Sequence, residues 1–423
     1  MKPSDVITPP AVVAVAFSLR VAAGMLRNHG VSWWETGYSH YAVLAQNIAR
    51  GEGFHLGALQ APRPPLYPLL LAAEYRLSGG GNLLPIVVQS AIGAGTVLIA
   101  FHLARLLFDR RTAVLAASFI AVYPYYVVHD SALQETGLFT FLTAGSIYAL
   151  VRASRSSSLG DYVAAGFWIG LDVLCREVIA PFALLAVAWL WWYQRPIGKV
   201  AQLRVGLTLL VAVSVVVPWL ARNAVVYGSP VLSAGGGFGL GYRMWVGHND
   251  FTIVGYPWIS IDESTPQAFG ALSPSESAEL EALNERDRDR WFMRRAVDFI
   301  ARDPTRALKY ELVKIFAAFS PVLSPTTGPW WRSAMYAASY TPMLLLAVAG
   351  AVVARARWRT LYLIYALVAS FVMVVIMTHA HTSHRSYLDV YFAILASHAV
   401  LVGYSTALRL STIMRPATAG VRR

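Results

Sequence analysis

Four groups of polar residues stand out against a very apolar chain, each close to the end of an apolar run. They are Trp34-Glu35 with His40, Arg63-Pro64-Pro65, Asp130 with Glu135, and His379, His381, His384 with Arg385. Ionisable groups inside or beside a bilayer are expensive to place, so each is a functional candidate by default. A carboxylate poised at a hydroxyl or amine can assist loss of its proton during attack; Glu35, Asp130 and Glu135 are the residues of that type. A planar guanidinium fork suits phosphate oxygens. Arg63, held at a set height by the prolines that follow it, and Arg385 offer that fork. Together such groups could hold a lipid-borne phosphate at headgroup depth while a second substrate arrives from water.

Each group also has a plainer reading. Glu135 opens an apolar run, where a helix N-terminus stabilises a carboxylate by about 0.3–1 kcal/mol. Asp130 reads as a loop residue, and Glu35 follows two tryptophans of the kind found in an interfacial belt. Arg63 and Arg385 can snorkel to lipid headgroups. Arg176 lies four residues after Asp172, so an intrahelical ion pair is its simplest reading. The histidine run is more economically a polar loop at a span junction than a metal site, because nothing fixes ligand geometry or a second shell.

The elements that must carry these residues follow from composition. Of 423 residues, 56% are hydrophobic and 14% charged, with a mean hydropathy of +0.50. Soluble domains run at about 45–50% apolar and about 25% charged. A cytosolic enzyme, a disordered scaffold and a coiled coil are thereby excluded, and the chain belongs in lipid. The net charge of +12 is scattered between apolar runs, a pattern of membrane topology and not of a nucleic-acid face. A single cysteine, Cys175, permits no intrachain disulfide and no cysteine-based metal site. The polar first ten residues, followed by a run without a small-residue cleavage site, predict no cleavable signal peptide.

A span needs roughly 20 mostly apolar residues, and about ten runs qualify. They are Ala11–Leu26, Leu83–Phe108, Thr112–Val128, Leu133–Val151, Tyr162–Leu174, Ile179–Trp192, Val205–Leu220, Met335–Val353, Leu361–Met377 and Leu388–Leu408. The expected fold is therefore an all-α polytopic membrane protein. Short connectors rich in Arg and Lys (Arg110-Arg111, Arg152/Arg155, Arg195/Lys199/Arg204, Arg355/Arg357/Arg359 and the tail) alternate with connectors that have none. The positive-inside rule puts both termini in the cytoplasm and turns Asn28–Asn82 and Arg222–Trp331 outward. The expected organisation is a membrane module 1–221 carrying the first outer loop at 28–82, an outer segment 222–331, and a C-terminal membrane module 332–423. Ser39–Arg50, Glu276–Phe299 and Asp303–Phe319 read as amphipathic helices at the membrane surface, the last with Asp303 as cap and Pro304 at its first position. Gly235–Gly237, Gly239 and Gly241 read as an irregular turn, and no internal repeat is visible.

In this order, the residues resemble a known class. Tyr41, Leu44-Ala45, Ile48-Ala49-Arg50-Gly51-Glu52-Gly53-Phe54 and Arg63-Pro64-Pro65-Leu66-Tyr67-Pro68-Leu69 are similar to the first outer loop of polytopic GT-C glycosyltransferases. The nearest look is to the protein O-mannosyltransferase-like and aminoarabinose-transferase-like bacterial families. The likeness continues through Tyr123-Pro124, Glu135-Thr136, Gly170-Leu171 with Arg176, Pro218-Trp219 with Arg222-Asn223, Asp303-Pro304 with Lys314, and Arg385-Ser386-Tyr387.

The resemblance implies a hexosyl- or pentosyltransferase of the bacterial inner membrane and cell envelope, working at the outer face. It would move a sugar from a polyprenyl-phosphate donor to a glycan, lipid or protein acceptor, with inversion, among membrane lipids and without nucleic acid. Glu35, Asp130 and Glu135 would be the catalytic acids, and Arg63 and Arg385 would face the carrier phosphate. Tyr41, Arg176, Arg222 and His384 complete the expected substrate-binding set. No cofactor is required by the resemblance, although a divalent metal remains an option. The family acid expected just before Tyr41 is replaced by Gly37 and Tyr38, with Glu35 the nearest acid. Either Glu35 serves instead, another residue does, or activity is lost. Two other classes compete: a lipid or solute transporter or flippase, and a non-catalytic protein that binds a prenyl carrier. Transporters often carry repeated halves with broken helices at the midplane, whereas the polar residues here concentrate in two unequal outer segments.

Overall fold

The computed structural model describes residues 9–30, 38–60, 62–193, 198–234, 239–324 and 329–413. The first half contains α1 (Pro9–Gly30), α2 (Ser39–Ala49), α3 (Leu66–Ser78), α4 (Leu83–Leu107), α5 (Arg110–Val122), α6 (Pro124–His129), α7 (Thr136–Ser154), α8 (Leu159–Cys175), α9 (Ala180–Tyr193) and α10 (Lys199–Val226). A group of shorter helices follows: α11 (Leu240–Gly247), α12 (Thr265–Gly270), α13 (Pro274–Ala282), α14 (Glu285–Arg302) and α15 (Pro304–Ala318). The chain ends with α16 (Trp330–Val353), α17 (Trp358–Met377) and α18 (Asp389–Ile413).

The protein is thus an all-α multi-pass membrane protein. Among the described residues seven helices are long and apolar enough to cross a bilayer. Every run expected as a span falls on helix, but α5, α8 and α9 have 13, 17 and 14 residues, so a count of ten full spans does not follow. The run expected at Thr112–Val128 is two helices, because Pro124 has no N–H to continue α5 and instead starts α6. The run expected at Glu276–Phe299 likewise divides, since Asn284 accepts from the Asp287 N–H and caps a new helix. The glycine segment is also less irregular than expected: Gly235–Gly237 lie outside the described residues, but Gly241 sits inside α11. Its N–H and that of Tyr242 donate to the Asp289 carboxylate, and a side chain at 241 would collide with the Asp289 backbone. Asp303 and Pro304 start α15 as the spacing predicts.

Cations gather where helix ends leave carbonyls without partners. At one end of the bundle Arg155 donates to Leu106 O (2.9 Å) and Arg357 to Leu107 O (3.1 Å), closing the end of α4. Arg204 similarly donates to Ser157 O at 2.9 Å. Deeper in the bundle, Arg20 of α1 is fully buried and pairs with Asp130 at 2.7 Å. It also donates to Ala121 O at 3.1 Å and reaches Ile120 O at 3.5 Å, the carbonyl that Pro124 cannot serve. Gly93 makes room for the pair: a Cβ there would lie 2.5 Å from both Arg20 Nε and Asp130 Oδ2.

Removing one partner of a buried pair leaves an uncompensated charge, which costs about 3–5 kcal/mol. Arg20→Met is therefore expected to lower the thermal midpoint of the detergent-solubilised protein well below that of wild type. An unchanged midpoint would show that this pair does not hold α1 to the α5–α6 junction.

Candidate active site

At the end of the bundle away from the Arg-capped end of α4, a cavity of about 210 Å³ opens between the spans and the group α11–α15. Its floor comes from helix ends. Glu135 is the residue before α7, and Arg176 and Glu177 occupy the break after α8. Thr378 and His379 follow α17, and His384 and Tyr387 precede α18. Tyr41 of α2, Arg63 ahead of α3, and Tyr242, Arg243 and Val246 of α11 complete the wall. Helix ends recur here because a chain leaving one span and entering the next exposes side chains at a common depth.

The central contact is Arg176 Nε to Glu135 Oε1 at 3.0 Å. Arg176 has left helical geometry, with φ −147° and ψ 118°, so its side chain cannot meet Asp172 one turn back. The expected Asp172–Arg176 pair is therefore absent, and Asp172 instead accepts from the Thr143 hydroxyl at 3.1 Å and the Ser146 hydroxyl at 3.4 Å. The other oxygen of Glu135, Oε2, is buried with no hydrogen-bond partner among the described residues. Burial alone would raise this carboxyl, but the charges of Arg176 and Arg63 outweigh it and hold Glu135 below the ordinary carboxylate range. Glu135 is thus ionised with one oxygen unengaged.

Arg63 donates from Nε to His40 Nε2 at 3.1 Å and lies 5.4 Å from the Tyr41 ring centre. His40 is pushed down to about 3, first by burial and then by the Arg63 charge, so it stays neutral and accepts. Across the cavity Arg243 and Glu177 pair at 2.5 Å, and Ser233 also donates to Glu177. Among the described residues three guanidiniums therefore face two carboxylates in a partly desolvated space.

One further network fixes the wall. Lys314 of α15 is fully buried and donates to Ile376 O (2.8 Å) and Thr378 O (2.9 Å), closing the C-terminus of α17 beside the cavity. Burial, partly offset by Glu311, pushes Lys314 down to about 8. Glu311 also bonds His248, just beyond α11, at 2.8 Å. This chain of contacts links α11, α15 and α17.

Of the residues expected at the site, Tyr41, Arg63, Glu135, Arg176 and His384 line one cavity. Arg385 does not. It is fully buried, pairs with Asp389 at 3.1 Å, donates to the Tyr336 hydroxyl at 2.9 Å and lies 3.6 Å from the Tyr340 ring centre. Asp130 is likewise taken by Arg20 within the bundle. Arg222 ties down the first loop by donating to Phe54 O at 2.9 Å and to Gln60 O, between the rings of Phe54 and Trp219. Glu35 lies outside the described residues. Among the described residues no group of three His, Cys, Asp or Glu could hold a metal ion, and the histidine tract bonds locally, with His381 Nδ1 at 2.6 Å from the Ser383 hydroxyl. Sequence reasoning missed Glu177 and Arg243. Glu177 was signalled by its position beside Arg176 between two apolar runs; Arg243, among glycines and aromatics, carried no such signal.

A bundle of spans with a charged cavity walled by short helices outside it is the architecture of polytopic membrane glycosyltransferases of the GT-C class, and this chain has that fold. The particular similarities agree. Residues 62–220, which include Arg63, Glu135, Arg176 and Glu177, match the family described as dolichyl-phosphate-mannose-protein mannosyltransferase. The chain is 26% identical over 220 residues to the lipopolysaccharide core galacturonosyltransferase RgtB of Rhizobium johnstonii, covering 50% of this chain and 42% of that protein. Among solved structures it is similar to the archaeal oligosaccharyltransferase AglB of Archaeoglobus fulgidus in complex with an inhibitory peptide and a dolichol-phosphate. That likeness has a TM-score of 0.56 and 15% identity, over 98% of this chain and 52% of the other. The apo form of the Archaeoglobus fulgidus oligosaccharyltransferase gives a TM-score of 0.55 at 14% identity, with the same coverage. The chain spans about half the length of these proteins.

His40 sets a pH dependence. Its folded value near 3 lies below the ordinary 6.5, so the stability it contributes is complete above pH 6.5 and is lost as pH falls toward 3. Thermal midpoints measured across that window should fall less steeply for His40→Gln than for wild type. Parallel curves would mean that His40 is not held neutral against Arg63.

Proposed function

We propose that the chain is a membrane glycosyltransferase that moves a sugar from a polyprenyl-phosphate carrier to a hydroxyl or amine acceptor, in one inverting step. The observation that carries this reading is an ionised Glu135 with a buried, unengaged oxygen in a cavity whose described lining includes Arg63, Arg176 and Arg243. The dolichol-phosphate in complex with AglB and the sugar transfer in the name of RgtB point the same way. The positive-inside rule puts the termini in the cytoplasm and turns the cavity to the outer face of a bacterial inner membrane.

In this reading the carrier phosphate enters beside Arg63 and Arg243, and Arg176 keeps Glu135 oriented. The acceptor hydroxyl donates to Glu135 Oε2. As its oxygen attacks the anomeric carbon, the bond from that carbon to the phosphate oxygen breaks and its electron pair stays with the phosphate. The acceptor proton passes to Glu135 and from there to water or the departing phosphate. A carboxylate held below its ordinary range is a weak base. Its main contribution is therefore orientation, with proton transfer late, once attack has made the hydroxyl acidic. The guanidiniums contribute most, since positive groups already in place cost no reorganisation as charge develops on the leaving phosphate. Partial exclusion of water strengthens these interactions and suppresses hydrolysis. The roles expected for Arg385 and Asp130 pass to Arg243 and Glu135, because both former residues are engaged in buried ion pairs.

Glu135→Gln and Arg243→Ala should each lower turnover by about 10²-fold or more, within the range for loss of a proton acceptor or a charge-stabilising donor. The measurement is transfer from a radiolabelled polyprenyl-phosphate sugar by purified protein that keeps its wild-type melting behaviour. Undiminished turnover in both variants would overturn the mechanism.

A further inference from the structure

Helix α11 separates two cavities. Tyr242, Arg243 and Val246 face the reactive one, whereas Trp245 faces a second, of about 250 Å³, in the group α11–α15. The two differ in charge. Among the described residues the reactive cavity has three guanidiniums against two carboxylates; the second has Arg295, Arg302 and Arg306 against Glu276, Asp250 and Asp303. Two of those arginines are paired, Arg306 with Asp250 at 2.6 Å and Arg295 with Glu276. A balanced lining gives no net attraction to a phosphate or a lone carboxylate.

The lining instead suits a ring that is apolar on its faces and rich in hydroxyls at its edge. Trp245, Phe251 and Phe299 supply aromatic surface, with Trp245 fixed from behind by Phe292 at 4.9 Å between ring centres. At the rim, Arg302 ends α14 and Asp303 follows it, placing a donor fork beside an acceptor. Asp303 accepts the Arg306 N–H with one oxygen, and the Arg306 guanidinium lies 5.2 Å from the Phe299 ring centre. A hydroxyl both donates and accepts, so adjacent hydroxyls can bridge a guanidinium and a carboxylate and satisfy both.

We propose that this second cavity is a binding site for an uncharged sugar ring. As a sugar site it stands apart from the transfer chemistry. Its use to hold a ring of a glycan acceptor, one helix away from Glu135, rests on the function proposed above.

The test is saturation-transfer NMR on the full chain, in a detergent without a sugar head group, with the methyl glycosides of glucose, galactose and mannose. At least one should show transfer. The signal should be lost in Ala271→Trp, which fills the cavity from an exposed lining position, and should weaken in Arg302→Glu. It should survive in Arg243→Ala, which alters only the reactive cavity. Absence of transfer from all three glycosides, or a signal unchanged in Ala271→Trp, would overturn the proposal. Ala271→Trp that keeps its melting midpoint should also raise the acceptor KM with kcat unchanged. Loss of glycoside binding with KM unmoved would overturn the acceptor role while leaving the sugar site standing.

Discussion

A charge taken out of water must meet an opposite charge or a set of backbone carbonyls inside the protein, and lipid on all sides makes that requirement strict. Much of the bundle is organised by how it is met. Arg20 joins α1 to the α5–α6 junction through Asp130 and the carbonyls exposed at Pro124. Arg385 joins the start of α18 to α16 and α15 through Asp389, Tyr336 and Ala318 O. Lys314 closes the end of α17 from α15. Each contact satisfies a buried cation and, in the same act, cross-links segments far apart in the chain.

The candidate active site is where this requirement is met incompletely. Arg176 engages one oxygen of Glu135 and leaves the other without a hydrogen bond, while Arg63 donates to a neutral histidine at the cavity wall. Arg243 is paired, yet among the described residues the lining carries more guanidiniums than carboxylates. Arg385 and Arg63 differ in place: the first is spent on Asp389, Tyr336 and the Ala318 carbonyl inside the bundle, and the second lines the cavity.

Membrane class and helix positions were legible in the sequence because apolar length is a local property. Each of the predicted spans lies on helix, and the Asp303-Pro304 start of α15 follows from capping chemistry between neighbouring residues. Breaks were less legible. The split at Pro124 was local yet the run was expected unbroken, whereas the end of α8 at Cys175 falls one residue beyond the expected Leu174 and only the fold shows that Arg176 there meets Glu135.

By itself the sequence determined that this is a multi-pass helical protein and which charged residues stand at the ends of its spans. Which of those charges are free to act was decided by packing in three dimensions. Asp130 and Glu135 are five residues apart and both buried, and the sequence named both as catalytic acids although only Glu135 carried the resemblance. One meets an arginine buried in the bundle and the other faces a cavity, because the partners come from helices whose approach is fixed by the fold as a whole. An ion pair is a property of two positions, and only the folded chain brings the second one to the first.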